Sequence, residues 1–427
     1  MLTAVVGINW GDEGKGRMID LLAGQYDIIC RYQGGNNAGH TVVNDKGKFV
    51  LNLLPSGILR DNTINIMGAG MVIDIGHLCE EIKGLEKKGI SINPDKLKIS
   101  GKAFISMPFH SQQDIWEEER LGDSKYGSTR RGIAPAYGDK YMKKGLRMGD
   151  LLEDKTLGQK LVSLVEWKNL VLKGYEPQMG KIGTIDADVI MDWLEGHGRF
   201  LSPFITDTTN FLANAVNEGK NILFEAQLGA LRDIDYGIYP FTTSSHTLAA
   251  YATTGAGIPG LKLDGIIGIM KAYSSCVGEG PFTAELYGNE ANDLREAGNE
   301  YGAATGRPRR VGGFDVVASR YGVRMQGANQ LALTKLDVLS YMEMIPICTS
   351  YEIDGKKTLD FPSGDALTRA KPVYEYMEGF RADISTCKKM ADLPIAAAKY
   401  IQFIEDAVGC PISYVSVGPG RGDYFIR

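Results

Sequence analysis

The chain has 427 residues, enough for one large domain or for two or three ordinary ones. With 47 basic and 52 acidic residues its net charge is −5, which excludes the strong positive field typical of nucleic-acid-binding proteins. No apolar run reaches the ~18 residues that a membrane helix needs, and the apolar amino terminus is too short for a signal peptide. The six cysteines are scattered without a CxxC pair, as expected of free thiols in a reducing compartment. We therefore expect a cytoplasmic protein with no nucleic-acid or membrane partner.

The amino-terminal stretch from Leu2 to Asp20 has the order strand, glycine loop, helix. Leu2 to Val6 is an apolar run typical of a buried strand, and a helical pattern begins at Arg17. The intervening glycines let backbone N–H groups approach an anion, and the helix N-terminus adds a partial positive charge. Lys15 supplies a full positive charge, and Asp12 supplies a carboxylate suited to a magnesium ion. This pattern predicts a phosphate-binding site.

The glycine loop differs from a Walker A motif, in which a glycine lies five residues before Gly14 and a Ser or Thr follows the lysine. Asn9 and Gly16 occupy those two positions here. A tight strand-to-helix turn that binds no ligand is the alternative interpretation. The charged residues interleaved with the glycines of GDEGKG favour a P-loop-like ligand site, because a simple turn needs no buried charges.

Strand and helix patterns alternate along the rest of the chain. Apolar runs predict strands at residues 27–31, 63–66, 221–224, 265–270, 330–336 and 413–417. Helical spacing predicts helices at residues 75–88, 207–216 and 394–408. We expect an α/β fold with a mostly parallel central sheet and helices on both faces. Residues 1–427 would form a single catalytic domain, in which the polar stretch 101–205 is largely a helical insertion.

The segment TKLD (334–337) closes an apolar run, at the end of a strand where α/β sheets bind ligands. Asp337 could accept hydrogen bonds from N1–H and the 2-amino group of guanine, and Lys335 could pack its stem over the base. Adenine offers neither donor, and an unpaired carboxylate would cost ~1–3 kcal/mol. A strand-end aspartate that caps the next helix is the alternative. In combination with a phosphate loop, TKLD favours a guanine nucleotide.

His40 lies in a second glycine-rich loop, which we expect beside the first one. An imidazole there could donate to a phosphoryl oxygen or act as a general acid. A structural or surface histidine is the alternative, although the glycines around it favour close approach to a ligand.

Residues 302–310 read GAATGRPRR and predict a mobile cationic loop. Arg307 and Arg309 could each fork onto a carboxylate, which suits a dicarboxylic amino acid as ligand. Solvated surface is the more usual fate of such a run.

Two amino-terminal motifs, WGDEGKG (10–16) and RYQGGNNAGHT (31–41), resemble the adenylosuccinate synthetase family. The resemblance continues through PSGIL (55–59), GIAPAYGDK (132–140), GLRMGDL (145–151), YPFTTSS (239–245), TKLDVL (334–339) and VGPGR (417–421). It implies a GTP-dependent ligase that joins IMP and L-aspartate in AMP biosynthesis and releases GDP and phosphate. It also implies a Mg²⁺ cofactor and a homodimer, with the cation at Lys143 reaching across the dimer interface.

The resemblance further implies roles for individual residues. Asp12 would be the general base, with His40 and Lys15 as the other catalytic groups, and the metal ligands would be Asp12 and the Gly39 carbonyl. The GTP-binding residues would be Gly11, Glu13, Gly14, Gly16, Arg17, Gly39, Thr41, Arg309, Lys335, Asp337, Ser416 and Gly418. The IMP-binding residues would be Asn37, Thr129, Lys143, Gln227, Leu228, Thr243 and Arg307, with Ser128 beside them. The aspartate-binding residues would be Ala303, Ala304, Thr305, Gly306, Arg307 and Arg309.

Some positions on the IMP or aspartate side depart from the family's pattern: Arg130, Lys143, Leu228, Ala304 and Pro308. The family usually has arginine at the position of Lys143. Leu228 aligns with an amide-bearing residue that contacts the purine nucleotide, and Gln227 stands one place early. These departures put the identity of the acceptor in question, while the GTP side is intact.

Two alternatives therefore stay open. The first keeps the chemistry but changes the acceptor to another 6-oxopurine nucleotide, dGMP or GMP. The retained Asp12 argues against it, since family branches with altered acceptors tend to have lost that carboxylate. The second is a guanine-nucleotide-binding switch protein, which would have no use for the arginine loop.

Overall fold

The computed structural model describes residues 1–44, 47–302 and 306–427. Its strands are β1 Leu2–Gly7, β2 Ile28–Arg31, β3 His40–Asn44, β4 Gly47–Leu51, β5 Ile64–Met67, β6 Val72–Ile73, β7 Leu97–Ser100, β8 Phe104–Ile105, β9 Ile205–Thr206, β10 Ile222–Glu225, β11 Gly265–Lys271, β12 Ser274–Cys276, β13 Arg310–Gly312, β14 Phe314–Asp315, β15 Gln330–Thr334, β16 Met344–Ile353, β17 Lys356–Thr358, β18 Lys371–Glu378, β19 Ile412–Ser416 and β20 Tyr424–Ile426. Its α-helices are α1 Lys15–Leu22, α2 Ile75–Glu86, α3 Pro108–Leu121, α4 Ile133–Tyr141, α5 Asp154–Lys173, α6 Glu176–Met179, α7 Ala187–Leu201, α8 Thr208–Asn217, α9 Ala252–Ala256, α10 Gly288–Ala297, α11 Val316–Gln326, α12 Asp365–Arg369 and α13 Ile395–Val408.

The central sheet has the strand order β20-β19-β15-β11-β1-β10-β2-β5-β7-β9. Neighbours from β19 to β9 pair in parallel, and only the edge strand β20 is antiparallel. The predicted α/β fold with a mostly parallel sheet is confirmed. The carboxyl ends of these parallel strands meet at one edge of the sheet, where such folds bind ligands.

Both faces of the sheet are covered, as alternating side chains of β1 show. Ala4 and Val6 pack into one buried cluster with Leu212 of α8. Val5 points to the other face and packs with Met18 of α1. A strand buried on both faces needs a continuous apolar run, which is what β1 has.

The stretch between β7 and β9 is largely helical. These two strands lie side by side in the sheet, and α3, α4, α5, α6 and α7 fall between them in sequence. The apolar faces of α5 and α7 share a buried cluster with the α2 residue Leu78, and this cluster includes Leu161 and Leu194. The assignment of the whole chain to a single domain stays a prediction.

Two parts of the fold differ from the expectations. His40 was expected in a loop, but it is the first residue of β3, which forms a hairpin with β4. Because Thr41 to Val43 favour an extended backbone, the strand continues back to His40, which pairs with Leu51. A second sheet, in which β16 pairs with β14, β17 and β18, was not expected from the sequence. Charged residues on the exposed β18 and a proline within β16, Pro346, obscure the strand pattern there.

The predicted strand at residues 330–336 is shorter than expected. β15 ends at Thr334, and Leu336–Tyr341 forms a 3₁₀ helix that contains Asp337. Among the described residues, no helix is both long enough and apolar enough to span a membrane.

Candidate active site

The glycine loop joins β1 to α1 and ends in a helix N-terminus. Gly14 caps α1 in the left-handed region, with φ of 99°, which glycine adopts without strain. A side chain at Gly16 would place its Cβ 2.7 Å from the Cβ of His40, so only glycine fits this approach. Because N–H groups in the first turn of a helix lack intrahelical acceptors, this end of α1 suits an anion.

Glu13 holds the glycine loop together from inside. Its carboxylate accepts hydrogen bonds from the backbone N–H groups of Asn9 and Gly11, at 3.1 and 2.8 Å. The other carboxylate oxygen accepts from Nζ of Lys15 at 2.6 Å. The lysine charge is therefore fixed and balanced beside the loop.

A buried carboxylate, Glu300, collects three cations next to this loop. Its Oε1 lies 2.8 Å from Nζ of both Lys271 and Lys335, and its Oε2 lies 2.8 Å from Arg309. Burial alone would raise the pKa of Glu300, but the three cations hold it well below its usual range. Arg309 also lies 3.2 Å from Oδ2 of Asp12. Glu300 therefore orients the arginine that faces the predicted base.

His40 is oriented by a second buried carboxylate, Glu225, at the end of β10. Nδ1 of His40 lies 2.5 Å from Oε1 of Glu225, and Ser56 donates to the same carboxylate from its N–H and its hydroxyl. Burial lowers the pKa of His40, while Glu225 acts in the opposite direction. Since Nδ1 is taken by Glu225, Nε2 is the ring nitrogen left for a ligand. Sequence patterns did not indicate Glu225 or Glu300, because each is recognisable only by the residues around it in space.

A cavity of about 670 Å³ opens beside the glycine loop. It brings together residues that lie far apart in the sequence. Those predicted for catalysis or for substrate binding that line it are Asp12, Asn37, Gly39, Thr129, Leu228, Thr243 and Arg309, with Ser128 beside them. Asp12 and Gly39 thus line the same cavity. A carboxylate oxygen together with a backbone carbonyl oxygen suits a hard cation such as Mg²⁺ as ligands.

The wall segment that carries Thr129 is held by two carboxylates of α3. Glu118 accepts hydrogen bonds from the backbone N–H groups of residues 126, 127 and 128, at 3.0–3.1 Å. Asp114 accepts from the hydroxyl of Ser128 at 2.7 Å and from the N–H of Gly132 at 2.9 Å. These bonds fix the segment against the cavity.

Several residues predicted for IMP or aspartate lie elsewhere. The amide of Gln227 is fully buried and binds the backbone N–H and C=O of Gly35, at 3.1 and 2.8 Å, so contact with a nucleotide would require these bonds to break. Leu228, not Gln227, faces the cavity, with a positive φ of 61°. Lys143 is exposed and outside the cavity, and Arg307 pairs with Glu279 at 3.1 Å. Ala303, Ala304 and Thr305 fall outside the described residues.

A second cavity, of about 480 Å³, contains Asp337 and Gly418. Burial raises the pKa of Asp337, although Arg17 and Lys335 act in the opposite direction. Arg17 of α1 donates to Oγ of Ser416 at 2.7 Å, and the next residues along the chain, Val417 and Gly418, line this cavity. Nζ of Lys335 donates to the carbonyl of Gly298 at 2.6 Å and to Glu300 at 2.8 Å.

Comparison with known proteins shows similarity over nearly the full chain. The family model described as adenylosuccinate synthetase matches residues 4–425. The chain belongs to the adenylosuccinate synthetase family. It is 44% identical to the adenylosuccinate synthetase of Caldanaerobacter subterraneus subsp. tengcongensis over 100% of this chain and 99% of that protein. It is 46% identical to that of Heliobacterium modesticaldum over 98% of this chain and 96% of that protein.

Solved structures give the same result for the fold. The fully ligated adenylosuccinate synthetase from Plasmodium falciparum matches with a TM-score of 0.92 at 35% identity, covering 100% of this chain and 99% of that one. The cyanophage S-2L succinoaminodeoxyadenylate synthetase, bound to dGMP and dATP, matches with a TM-score of 0.62. At 19% identity over 99% of this chain and 94% of that one, this second similarity concerns the fold alone.

Proposed function

We propose that this protein is a GTP-dependent ligase that joins IMP to L-aspartate and releases GDP and phosphate, in AMP biosynthesis. The observation that carries the proposal is that Asp12, the hydroxyl residues Thr129 and Thr243, and Arg309 line one cavity. The glycine loop beside it ends at the N-terminus of α1, which suits an anion. A nucleoside monophosphate, a phosphoryl donor and a dicarboxylate need these groups in one place. Membership of the adenylosuccinate synthetase family supports the same reaction.

In the first step, Asp12 removes the N1 proton of IMP and O6 attacks the γ-phosphorus of GTP. This converts O6 into a phosphate leaving group and releases GDP. Lys15, Nε2 of His40 and the N–H groups at the start of α1 stabilise the charge that develops on the phosphoryl oxygens. Burial excludes water from Lys15 and His40, so their interactions with that charge are strong.

In the second step, the amino group of L-aspartate attacks C6 and phosphate leaves. Arg309 and Arg307 would bind the aspartate carboxylates, and Glu300 keeps Arg309 in place. Asp12 and the Gly39 carbonyl would hold a Mg²⁺ ion. When bound, this ion neutralises charge on the GTP phosphates.

GTP would be selected at the second cavity by Asp337, which can accept both donors on the guanine edge. A homodimer would place the exposed Lys143 at a partner's acceptor phosphate. Both roles rest on the resemblance together with the positions of these residues. We expect the protein to act in the cytoplasm.

A specific observation keeps dGMP or GMP as the second candidate acceptor. The apolar side chain of Leu228 at the cavity offers no hydrogen bond that would select one purine over another. The retained Asp12 and the family favour IMP.

A turnover assay tests the proposal. The protein is supplied with GTP, L-aspartate and Mg²⁺, and with IMP, GMP or dGMP in turn, while phosphate release and the succinylated product are measured. We expect product only when all substrates are present, and the highest kcat/KM with IMP. A higher kcat/KM with dGMP than with IMP would identify dGMP as the acceptor. GTP hydrolysis that depends on neither acceptor nor aspartate would indicate a switch protein.

A further inference from the structure

Three chain segments meet at one wall of the larger cavity. They are the 126–129 segment, the 239–245 segment and the 276–280 segment, and each contributes residues to the lining. The rings of Tyr126 and Phe241 pack edge to face with centroids 6.2 Å apart. The N–H of Glu279 donates to the carbonyl of Tyr126 at 3.4 Å. The shape of this wall depends on how these segments are spaced.

The guanidinium of Arg232 lies where two of these segments meet. Arg232 follows β10 and is only 7% exposed. Its Nη1 donates to the carbonyl of Phe241 and, at 3.4 Å, to that of Glu279. Its Nη2 donates to the carbonyl of Val277 at 2.5 Å and to Sγ of Cys276 at 3.0 Å. One planar fork thus joins the 239–245 segment to the 276–280 segment.

The backbone of Arg232 holds the same wall. Its carbonyl accepts a hydrogen bond from the N–H of Thr243 at 2.9 Å. Thr243 is one of the hydroxyl residues proposed to bind the acceptor. Arg232 is therefore bonded at Phe241 and at Thr243 to the segment that presents this hydroxyl.

The acceptors around the guanidinium carry no charge. Burial raises the pKa of the Cys276 thiol, although Arg232 and Arg310 act against it, so the sulfur is a neutral acceptor. Among the described residues, no carboxylate lies within ion-pair distance of Arg232. A buried arginine that binds several carbonyls is suited to fixing backbone geometry, because its donors lie in one rigid plane.

We infer that Arg232 is a positioning residue for the acceptor nucleotide. It sets the separation of the two wall segments and thereby the place of the Thr243 hydroxyl. Arg232 itself lines the cavity, but both of its Nη atoms are engaged by protein acceptors, so its guanidinium acts on the nucleotide through the wall segments that it holds. The inference rests on the proposed function, since it assigns this residue to the acceptor side of the same reaction.

The test compares Arg232→Met and Arg232→Lys with the wild type. Methionine removes both the charge and the fork, whereas lysine keeps the charge but offers a single donor group. We expect each variant to raise the KM for IMP about tenfold, the effect of losing hydrogen bonds from a charged donor. The KM for GTP should change less than twofold. Calorimetric binding of IMP should weaken by the same factor as the KM rises.

Arg427→Met is the control, because Arg427 pairs with Glu405 at 2.6 Å and lies outside the cavity. An acceptor KM within twofold of the wild type in either Arg232 variant would overturn the inference, as would equal increases in the KM for IMP and for GTP. If the methionine variant does not fold, the lysine variant alone decides. Failure of the proposed function is seen separately, as a wild-type protein that neither turns over nor binds IMP.

Discussion

Nη2 of Arg309 lies 3.2 Å from Oδ2 of Asp12. The proposed base is thus ion-paired with a residue of the cationic loop, and the phosphate loop and the aspartate side of the site are directly connected. The same arginine bonds to the buried Glu300, which restricts its movement. A change at Asp12 should therefore affect proton removal, metal binding and the position of Arg309 together.

Asp12→Asn keeps the shape of the side chain but removes its charge. We expect turnover to fall at least ~10²-fold, the scale of general-base catalysis, and Mg²⁺ affinity to weaken. Steady-state kinetics across a Mg²⁺ series measure both effects. Asp354→Asn, which breaks an exposed pair with Arg369, is the control. Turnover within a few-fold of the wild type would remove Asp12 from the mechanism.

Asp337→Asn should change nucleotide choice. Asparagine mismatches the guanine edge but can donate to the 2-oxo group of xanthine, so GTP use should fall and XTP use should rise. The measurement is kcat/KM with each nucleotide. Asp383→Asn is a matched control, since Asp383 lines the same cavity and is exposed. Unchanged GTP kinetics in Asp337→Asn would leave TKLD as a strand end without a role in base recognition.

Glu225→Gln should reduce turnover by acting through His40. The amide can still accept a bond from Nδ1–H, but it no longer supports positive charge on the imidazole, so we expect about a tenfold to hundredfold loss of kcat. The test is a double-mutant cycle with His40→Asn. If Glu225 acts through His40, Glu225→Gln should lower kcat little further in a protein that already carries His40→Asn. Fully additive losses would contradict this coupling.

Gln227→Leu should weaken the binding of IMP while leaving the binding of GTP unaffected. The substitution removes both bonds to Gly35 and so loosens the segment that carries Asn37 into the cavity. The KM values for IMP and GTP measure the effect, with the surface variant Gln402→Leu on α13 as control. If Gln227→Leu is silent and dGMP outcompetes IMP, the acceptor assignment is wrong while the GTP assignment stands.

Asp315 gives a stability prediction that is independent of catalysis. Burial raises the pKa of Asp315 to about 6, against the bonds from Ala318 N–H and Tyr351. In the unfolded chain the carboxyl titrates near pH ~4, so its contribution to stability is complete below that pH and is lost as pH rises through about 6. Asp315→Asn should therefore raise the melting temperature relative to the wild type at pH 7.5, with no advantage near pH 4. Differential scanning fluorimetry across this pH range, with Asp354→Asn as control, measures the melting temperatures. A difference in melting temperature between Asp315→Asn and the wild type that is the same at all pH values would contradict the prediction.

The sequence predicted those features that depend on local pattern. The β1 run, the glycines before α1 and the apolar spacing of α2 are all visible in short windows, and these elements were placed within one or two residues. Glu225, Glu300 and Arg232 were not predicted, because an isolated Glu or Arg has no local pattern. Glu225 contacts His40 across 185 residues, and Arg232 contacts Val277 across 45.

The same distinction applies to Gln227 and Leu228. The family resemblance places them near the acceptor, but which one faces the cavity depends on a backbone with a positive φ at Leu228. That conformation is unusual for leucine and is not predictable from its neighbours in the sequence.

The contacts of Arg17 have a consequence for how the protein is made. Arg17 donates to Oγ of Ser416 and to the carbonyls of Gly420 and Asp423, about 400 positions later in the chain. The helix that begins the nucleotide site is translated about 400 residues before its partners, which leave the ribosome only after residue 423 has been synthesised. Nascent chains that stop before residue 416 lack these contacts, so affinity for a guanine nucleotide should be acquired only once residues 416–423 have been translated.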